Sequence, residues 1–234
     1  TIDASAEAVS VGVVSPGQMM LMYGSTVFII EVSDKPVTDS RLWAAPYLFP
    51  GTYAIKGGMS TTGAITRWFR DNFAKDLLEI EADTGENAYG ILSNQARDVA
   101  PGSEGLVVLP YFSGERTPLN DPKAKGMIFG LTLAHSRAHL YRALLEGVGY
   151  GINQHIDILD AIGAKPEKIF AVGGGTKNKE WLQIVSDICN MEQQVPSVTF
   201  GASYGDAFLT GLGIGKFKSY HEIHNWIKDI KQIK

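Results

Sequence analysis

The run Lys168-Ile169-Phe170-Ala171-Val172-Gly173-Gly174-Gly175-Thr176-Lys177-Asn178, followed at once by Lys179-Glu180-Trp181-Leu182-Gln183-Ile184-Val185-Ser186-Asp187, decides how this chain is read. An apolar, β-prone segment meets three glycines, after which Trp181, Ile184, Val185 and Ile188 recur at helical spacing. The pattern predicts strand, glycine turn, helix. Glycines at such a junction let the backbone approach a ligand closely, and the first N–H groups of the next helix favour anionic oxygens, so a nucleotide is the natural guest. A plain left-handed turn between a core strand and a core helix would use the same glycines, since a short glycine cluster is a weak motif.

Upstream, the chain opens with Asp3 before the small-residue run Ala4-Ser5-Ala6-Glu7-Ala8-Val9-Ser10. An Asp there is expected as a helix N-cap, and a carboxylate held at a helix start beside a cleft is also suited to act as a general base. Gln18 to Tyr23 and Val27 to Val32 read as a hairpin whose tip is Gly24-Ser25-Thr26, a turn able to hold a terminal phosphate or to be only a turn. Arg41 to Lys56 is proline-punctuated and predicts short irregular strands at a surface. A second glycine-rich stretch, Gly57 to Gly63, leads into a helix with Ile65, Trp68 and Phe69 on one face, and another helix is expected over about Asn87 to Val99. Leu106 to Leu109 predicts a short buried strand, and the polar loop Gly114 to Pro122 follows. Its Arg116 is suited to position an anion or to pair with Glu115 or Asp121.

Ser136 to Asp160 carries the longest helical pattern, and Gly147, Gly149 and Gly151 inside it suggest close packing on another helix. His135 and His139 stand four apart with no acidic or cysteine partner, so no metal site is expected. Downstream of the central turn, Val195 to Val198 reads as a short strand and Gly201 to Gly213 as a tightly packed helix. A capping-box pattern at Ser219 to Glu222 predicts a last helix carrying Trp226, Ile227 and Ile230. No period of repeat length recurs.

With 234 residues, 44% hydrophobic and 20% charged, the chain has the composition of an ordinary globular protein able to bury a core. A net charge of -4 with no Lys/Arg cluster argues against nucleic acid as a partner. The one cysteine, Cys189, lies in an apolar helical row and reads as a buried thiol in a cytoplasmic protein. No signal-peptide pattern or apolar stretch of membrane length is found, so no membrane partner is expected. The chain starts at Thr1 with what reads as the interior of a fold, and is expected to be part of a longer polypeptide.

Taken together these pieces resemble the carboxy-terminal half of the FGGY carbohydrate kinases, within the actin, Hsp70 and sugar-kinase superfamily. The resemblance rests on Ser113-Gly114-Glu115-Arg116-Thr117-Pro118 continuing to Asp121-Pro122-Lys123-Ala124-Lys125-Gly126 and Phe129-Gly130-Leu131-Thr132. Val172-Gly173-Gly174-Gly175 with Trp181, Gln183 and Asp187 adds to it, as does Gly201-Ala202-Ser203-Tyr204-Gly205-Asp206-Ala207. It implies an α/β, ribonuclease-H-like domain with a mixed sheet flanked by helices, residues 1–234 forming the nucleotide-binding half of a two-domain kinase. It further implies phosphorylation of a sugar hydroxyl by ATP with Mg2+, with Asp3 as the base. Gly24, Ser25 and Thr26 would hold the β- and γ-phosphates, Gly63 and Arg67 would lie near the nucleotide, and Gly174, Gly175 and Asn178 would bind adenosine. Ser25 departs from the Gly-Thr order usual in the family but keeps the hydroxyl, and the residue at the Arg67 position varies within the family.

Glu115-Arg116-Thr117-Pro118 favours the xylulokinase branch over glycerol kinase, with gluconate and ribulose kinases close behind. The implied partners are the sugar, ATP and an amino-terminal domain whose Asp-x-Gly-Thr loop has no match in this chain; a homodimer is left open. A non-catalytic clamp of the actin or Hsp70 sort is the reading from another class. A dinucleotide enzyme is disfavoured by the lack of a Gly-x-Gly-x-x-Gly pattern, and a Walker-type loop is absent.

Overall fold

The computed structural model describes residues 1–197 and 200–234. Strands β1 (Gln18–Tyr23) and β2 (Val27–Ser33) form the predicted hairpin, with Tyr23 opposite Val27 at its tip. Next to β2 run β4 (Tyr53–Met59) and, at the sheet edge, β3 (Trp43–Pro46), both antiparallel, with Val27 opposite Met59. β5 (Val107–Leu109) and β6 (Met127–Phe129) make a separate two-stranded ribbon. On the other side of β1 lies β7 (Lys168–Val172), parallel to it, then β8 (Gln193–Pro196), parallel again, and β9 (Ile230–Ile233), antiparallel. The seven-stranded order is β3-β4-β2-β1-β7-β8-β9, the mixed sheet expected.

Successive side chains of a strand point to opposite faces, and β1 from Met19 to Tyr23 and β7 from Ile169 to Val172 are apolar on both because both faces are covered. Met19, Leu21 and Tyr23 of β1 join Ile169 and Ala171 of β7 in one core. Met20 joins Phe170 and Val172 in the other. The first core is covered by α2 (Gly63–Phe73), α3 (Lys75–Thr84), α4 (Ala88–Arg97), α5 (Arg137–Ala161) and α6 (Lys179–Cys189). The second is covered by α1 (Asp3–Ser10) and α7 (Ala202–Gly213). Among the described residues no helix is long and apolar enough to cross a membrane.

Several local expectations are corrected. Asp3 is the first residue of α1 and not its cap, which is Ile2; the Asp3 carboxylate accepts the N–H of Ala4 at 2.8 Å. The helix α3 has no counterpart in the sequence reading. The α5 glycines meet different neighbours: Gly149 faces Ile188 of α6, but Gly147 abuts the Val108 carbonyl and Gly151 the Met59 side chain. The Ser219–Glu222 capping box forms, yet it starts only a short 3-10 turn, Tyr220–Asn225. Ile230 begins β9, because pairing with the free edge of β8 satisfies backbone groups that a last helix would leave exposed there. In β5 only Val108 is buried, Val107 facing outward. Val198, read as the end of a strand, lies outside the described residues.

Candidate functional site

Because β1 and β7 are parallel, their carboxyl ends finish side by side, and the segments leaving them open a crevice of the kind that takes ligands in α/β sheets. After β1 comes the hairpin tip Gly24-Ser25-Thr26. After β7 comes Gly173, then a 3-10 turn over Gly174–Lys177. These two turns, the start of α2, one face of α4 and the start of α6 wall a cleft of about 720 Å³, a volume ordinary for a small-molecule site.

The three glycines of the central turn divide the work. Gly173 has φ +93°, and a Cβ on it would stand 2.6 Å from the Tyr23 carbonyl oxygen; one on Gly175 would stand 2.7 Å from Tyr23 Cβ. These two let the ends of β1 and β7 touch. A Cβ on Gly174 would have no other atom of the chain within 4 Å, although Gly174 lines the cleft. Gly173 and Gly175 thus serve the close turn, while Gly174 leaves a bare stretch of cleft wall.

The hairpin tip is tied to α2. The Ser25 carbonyl accepts the N–H groups of Thr62 and Ala64 at 3.0 and 3.1 Å, and the Gly24 carbonyl accepts that of Gly63 at 3.0 Å. A Cβ at Gly63 would stand 2.5 Å from the Gly24 oxygen, so this junction admits no side chain. With its carbonyls taken, the tip offers the Ser25 N–H, and the turn after β7 offers those of Gly174 and Gly175: among the described residues these three have no partner within the chain.

The cleft has a cationic rim in a chain of net charge -4. Arg67, Lys177 and Lys179 line it, while the fourth cation, Arg97, bonds Glu180 at 3.1 Å and ties α4 to α6. Such a rim favours an anionic guest. Gly90, Ser93, Asn94 and Arg97 turn one face of α4 to the cleft, and Ala88, Leu92 and Ala96 turn the other into the core. The sequence reading missed this wall. Its signal was polar and small residues at three- and four-residue steps, opposite the apolar stripe.

Of the residues singled out from sequence, Gly24, Ser25, Gly63, Arg67, Gly174, Gly175 and Asn178 line this one cleft. Asn178 also caps α6, its side-chain oxygen accepting the Trp181 N–H at 3.1 Å. Thr26 and Asp3 are not among the lining residues; Asp3 is exposed on the first turn of α1. Glu7, one turn further along that helix, has its carboxyl pushed up by burial and, in smaller part, by the Asp3 charge.

Arg116 neither lies free nor pairs with Glu115 or Asp121. Its Nη2 donates to the carbonyls of Val27 and Met59 at 3.0 and 2.9 Å. His135 contacts the hydroxyl of Thr132 at 3.2 Å, and His139 accepts the N–H of Ser136 as part of the α5 capping box. Among the described residues no group of three or more His, Cys, Asp or Glu could hold a metal ion.

Residues 19–213 match the FGGY family of carbohydrate kinases, C-terminal domain. A gluconokinase of Bacillus subtilis is 32% identical over 219 residues, 93% of this chain and 43% of the relative. The solved xylulose kinase of Rhodospirillum rubrum superposes with a TM-score of 0.87 at 33% identity, covering 100% of this chain and 46% of that one. The glycerol kinase of Plasmodium falciparum, solved with ADP, superposes at 0.81 with 26% identity, covering 97% and 45%. The chain thus spans less than half the length of the relatives it matches.

Proposed function

The chain belongs to the FGGY family of carbohydrate kinases, and on that premise we propose that it is the ATP-binding half of a sugar kinase acting on a pentulose of the xylulose type. One observation carries the reading: turns far apart in sequence meet in a cleft that combines unpaired N–H donors, a cationic rim and, at Gly174, a wall without a side chain. These features fit ATP. Phosphates suit the donors at Ser25 and the rim, and adenosine suits the turn Gly174–Asn178 at the other side.

In the reaction proposed, the sugar hydroxyl oxygen attacks the γ-phosphorus, the bond from that phosphorus to the bridging oxygen breaks, and ADP leaves. The hydroxyl proton passes to the Asp3 carboxylate. Little covalent chemistry is asked of the protein, so positioning and charge stabilisation suffice. Thr26, beside Ser25, adds a hydroxyl at the tip. Mg2+ would enter as part of the MgATP substrate; this chain presents no cage for it among the described residues, and no step is assigned to it. The second reading, gluconate, is favoured by the likeness to a gluconokinase.

We expect the isolated chain to bind nucleotide weakly and to turn over little, since the amino-terminal half that the relatives have would supply most sugar contacts. The test is a polypeptide of the relatives' length carrying this chain, assayed for ADP release with pentuloses, gluconate and glycerol. Asp3→Asn should abolish sugar-dependent ADP release and spare ATP affinity. Full activity in the Asn variant would refute the base, and sugar-independent hydrolysis alone would favour the actin-like clamp.

A further inference from the structure

Three consecutive side chains of the loop after β5 hold three consecutive backbone positions at the end of β4, in reverse order. Thr117 Oγ1 accepts the Gly58 N–H at 2.6 Å, Arg116 Nη2 donates to the Met59 carbonyl at 2.9 Å, and Glu115 Oε1 accepts the Ser60 N–H at 2.7 Å. Arg116 does more, because the same Nη2 donates to the Val27 carbonyl at 3.0 Å. Val27 and Met59 are the last pair of the β2–β4 ladder. Val27 directly follows the hairpin tip, and the residues after Ser60 are those whose N–H groups bond Ser25 and Gly24.

We propose that Arg116 and Glu115 are positioning residues that hold the Gly24–Thr26 tip in its phosphate-receiving geometry by clamping the strand ends on either side of it. This rests on the reading of that tip as the seat of the terminal phosphates. A hairpin end frays unless pinned, and donors set in advance bind an anion without the cost of ordering them. A guanidinium bonded to two carbonyls makes a strong, directional clamp. Gly58 fits the same purpose: a Cβ there would stand 2.6 Å from the Val27 oxygen and 3.0 Å from Arg116 Nη2. The arrangement is costly as mere packing, for Glu115 Oε2 and Arg116 Nε are buried without partners among the described residues. Neither side chain lines the cleft, so both act through the main chain they hold.

The experiment takes the polypeptide of the relatives' length that carries this chain and compares it with Arg116→Met and, as a milder variant, Arg116→Lys, which keeps a charged donor. Calorimetry reads affinity for ATP, ADP and adenosine; amide hydrogen exchange reads the tip with no nucleotide present. Arg116→Met should weaken ATP by about tenfold, the equivalent of about 1.4 kcal/mol, while adenosine affinity holds within roughly twofold. Exchange should quicken at the bonded amides of Gly24, Ser60, Thr62 and Gly63 but not in α6. Should the Met variant fail to fold, the Lys variant shows the same split at smaller amplitude. Unchanged exchange at the tip overturns the clamp alone, and so does an equal loss of ATP and adenosine. Faster exchange with ATP affinity intact overturns the phosphate-seat reading, and with it the proposal that the clamp serves phosphate binding.

Discussion

Gly205 of α7 crosses Ala6 of α1 so closely that a Cβ on the glycine would overlap the Ala6 carbonyl oxygen. Backbone cannot yield to a methyl group as a flexible side chain can, so this crossing sets how α1 lies on the sheet and where Asp3 stands.

Gly205→Ala should therefore destabilise the fold by about 3 kcal/mol, the upper range for overpacking. Gly213→Ala, at the far end of the same helix, is the control. A Cβ there meets nothing within 4 Å, and the higher helix propensity of alanine should leave stability unchanged or raised by up to about 1 kcal/mol. Urea midpoints of the two variants check the contrast.

Gly174→Val should leave the melting temperature unchanged and lower ATP affinity by about tenfold or more, since its side chain would enter the cleft and not the core. Gly173→Val should instead lower the melting temperature, because φ is +93° and the Tyr23 carbonyl is in the way. Equal effects of the two on folding would contradict the division of work within the turn.

Glu31 of β2 is 1% exposed, its Oε2 has no partner among the described residues, and burial followed by the nearby Glu167 charge pushes its carboxyl up to about 9. From its ordinary 4.5 up to about 9 the unfolded chain has released this proton while the folded chain keeps it. The Glu31 contribution is thus full below pH 4.5 and is lost as pH rises. Glu31→Gln removes the slope. At pH ~8 the variant should exceed the parent by about 2 kcal/mol or more, and near pH ~4.5 the two should converge; denaturant titrations at both pH values decide it.

Thr117→Val keeps the volume of the side chain but strips the hydroxyl that sits 2.6 Å from the Gly58 N–H and 3.0 Å from His155 Nε2. Leaving both groups unpaired should cost about 2 kcal/mol, read as a shifted unfolding midpoint. Burial holds the His155 pKa below its ordinary 6.5, so the ring stays neutral in the fold. Its share of stability is present above pH 6.5 and lost as pH falls and the unfolded chain takes up the proton.

Local patterns carried much of the fold. The glycine turn after β7, the hairpin and the long α5 were readable because periodicity, turn residues and caps act within a few positions of themselves, whereas the mixed α/β class was implied by the family resemblance. The end of the chain was not: Ile230 to Ile233 has no helical or strand signal strong enough to outweigh its neighbours, and the open edge of β8 decided that it is a strand. The clamp at Arg116 was equally out of reach, because its partners are main-chain carbonyls 89 and 57 positions away, and a carbonyl leaves no mark in a sequence. By itself the sequence determined which residue types were on hand for a nucleotide, small turns and a few cations. Only the tertiary structure decided that seven of them share one cleft, because the parallel pairing of β1 with β7 brings the two turns together, and that pairing is a long-range contact no local preference encodes.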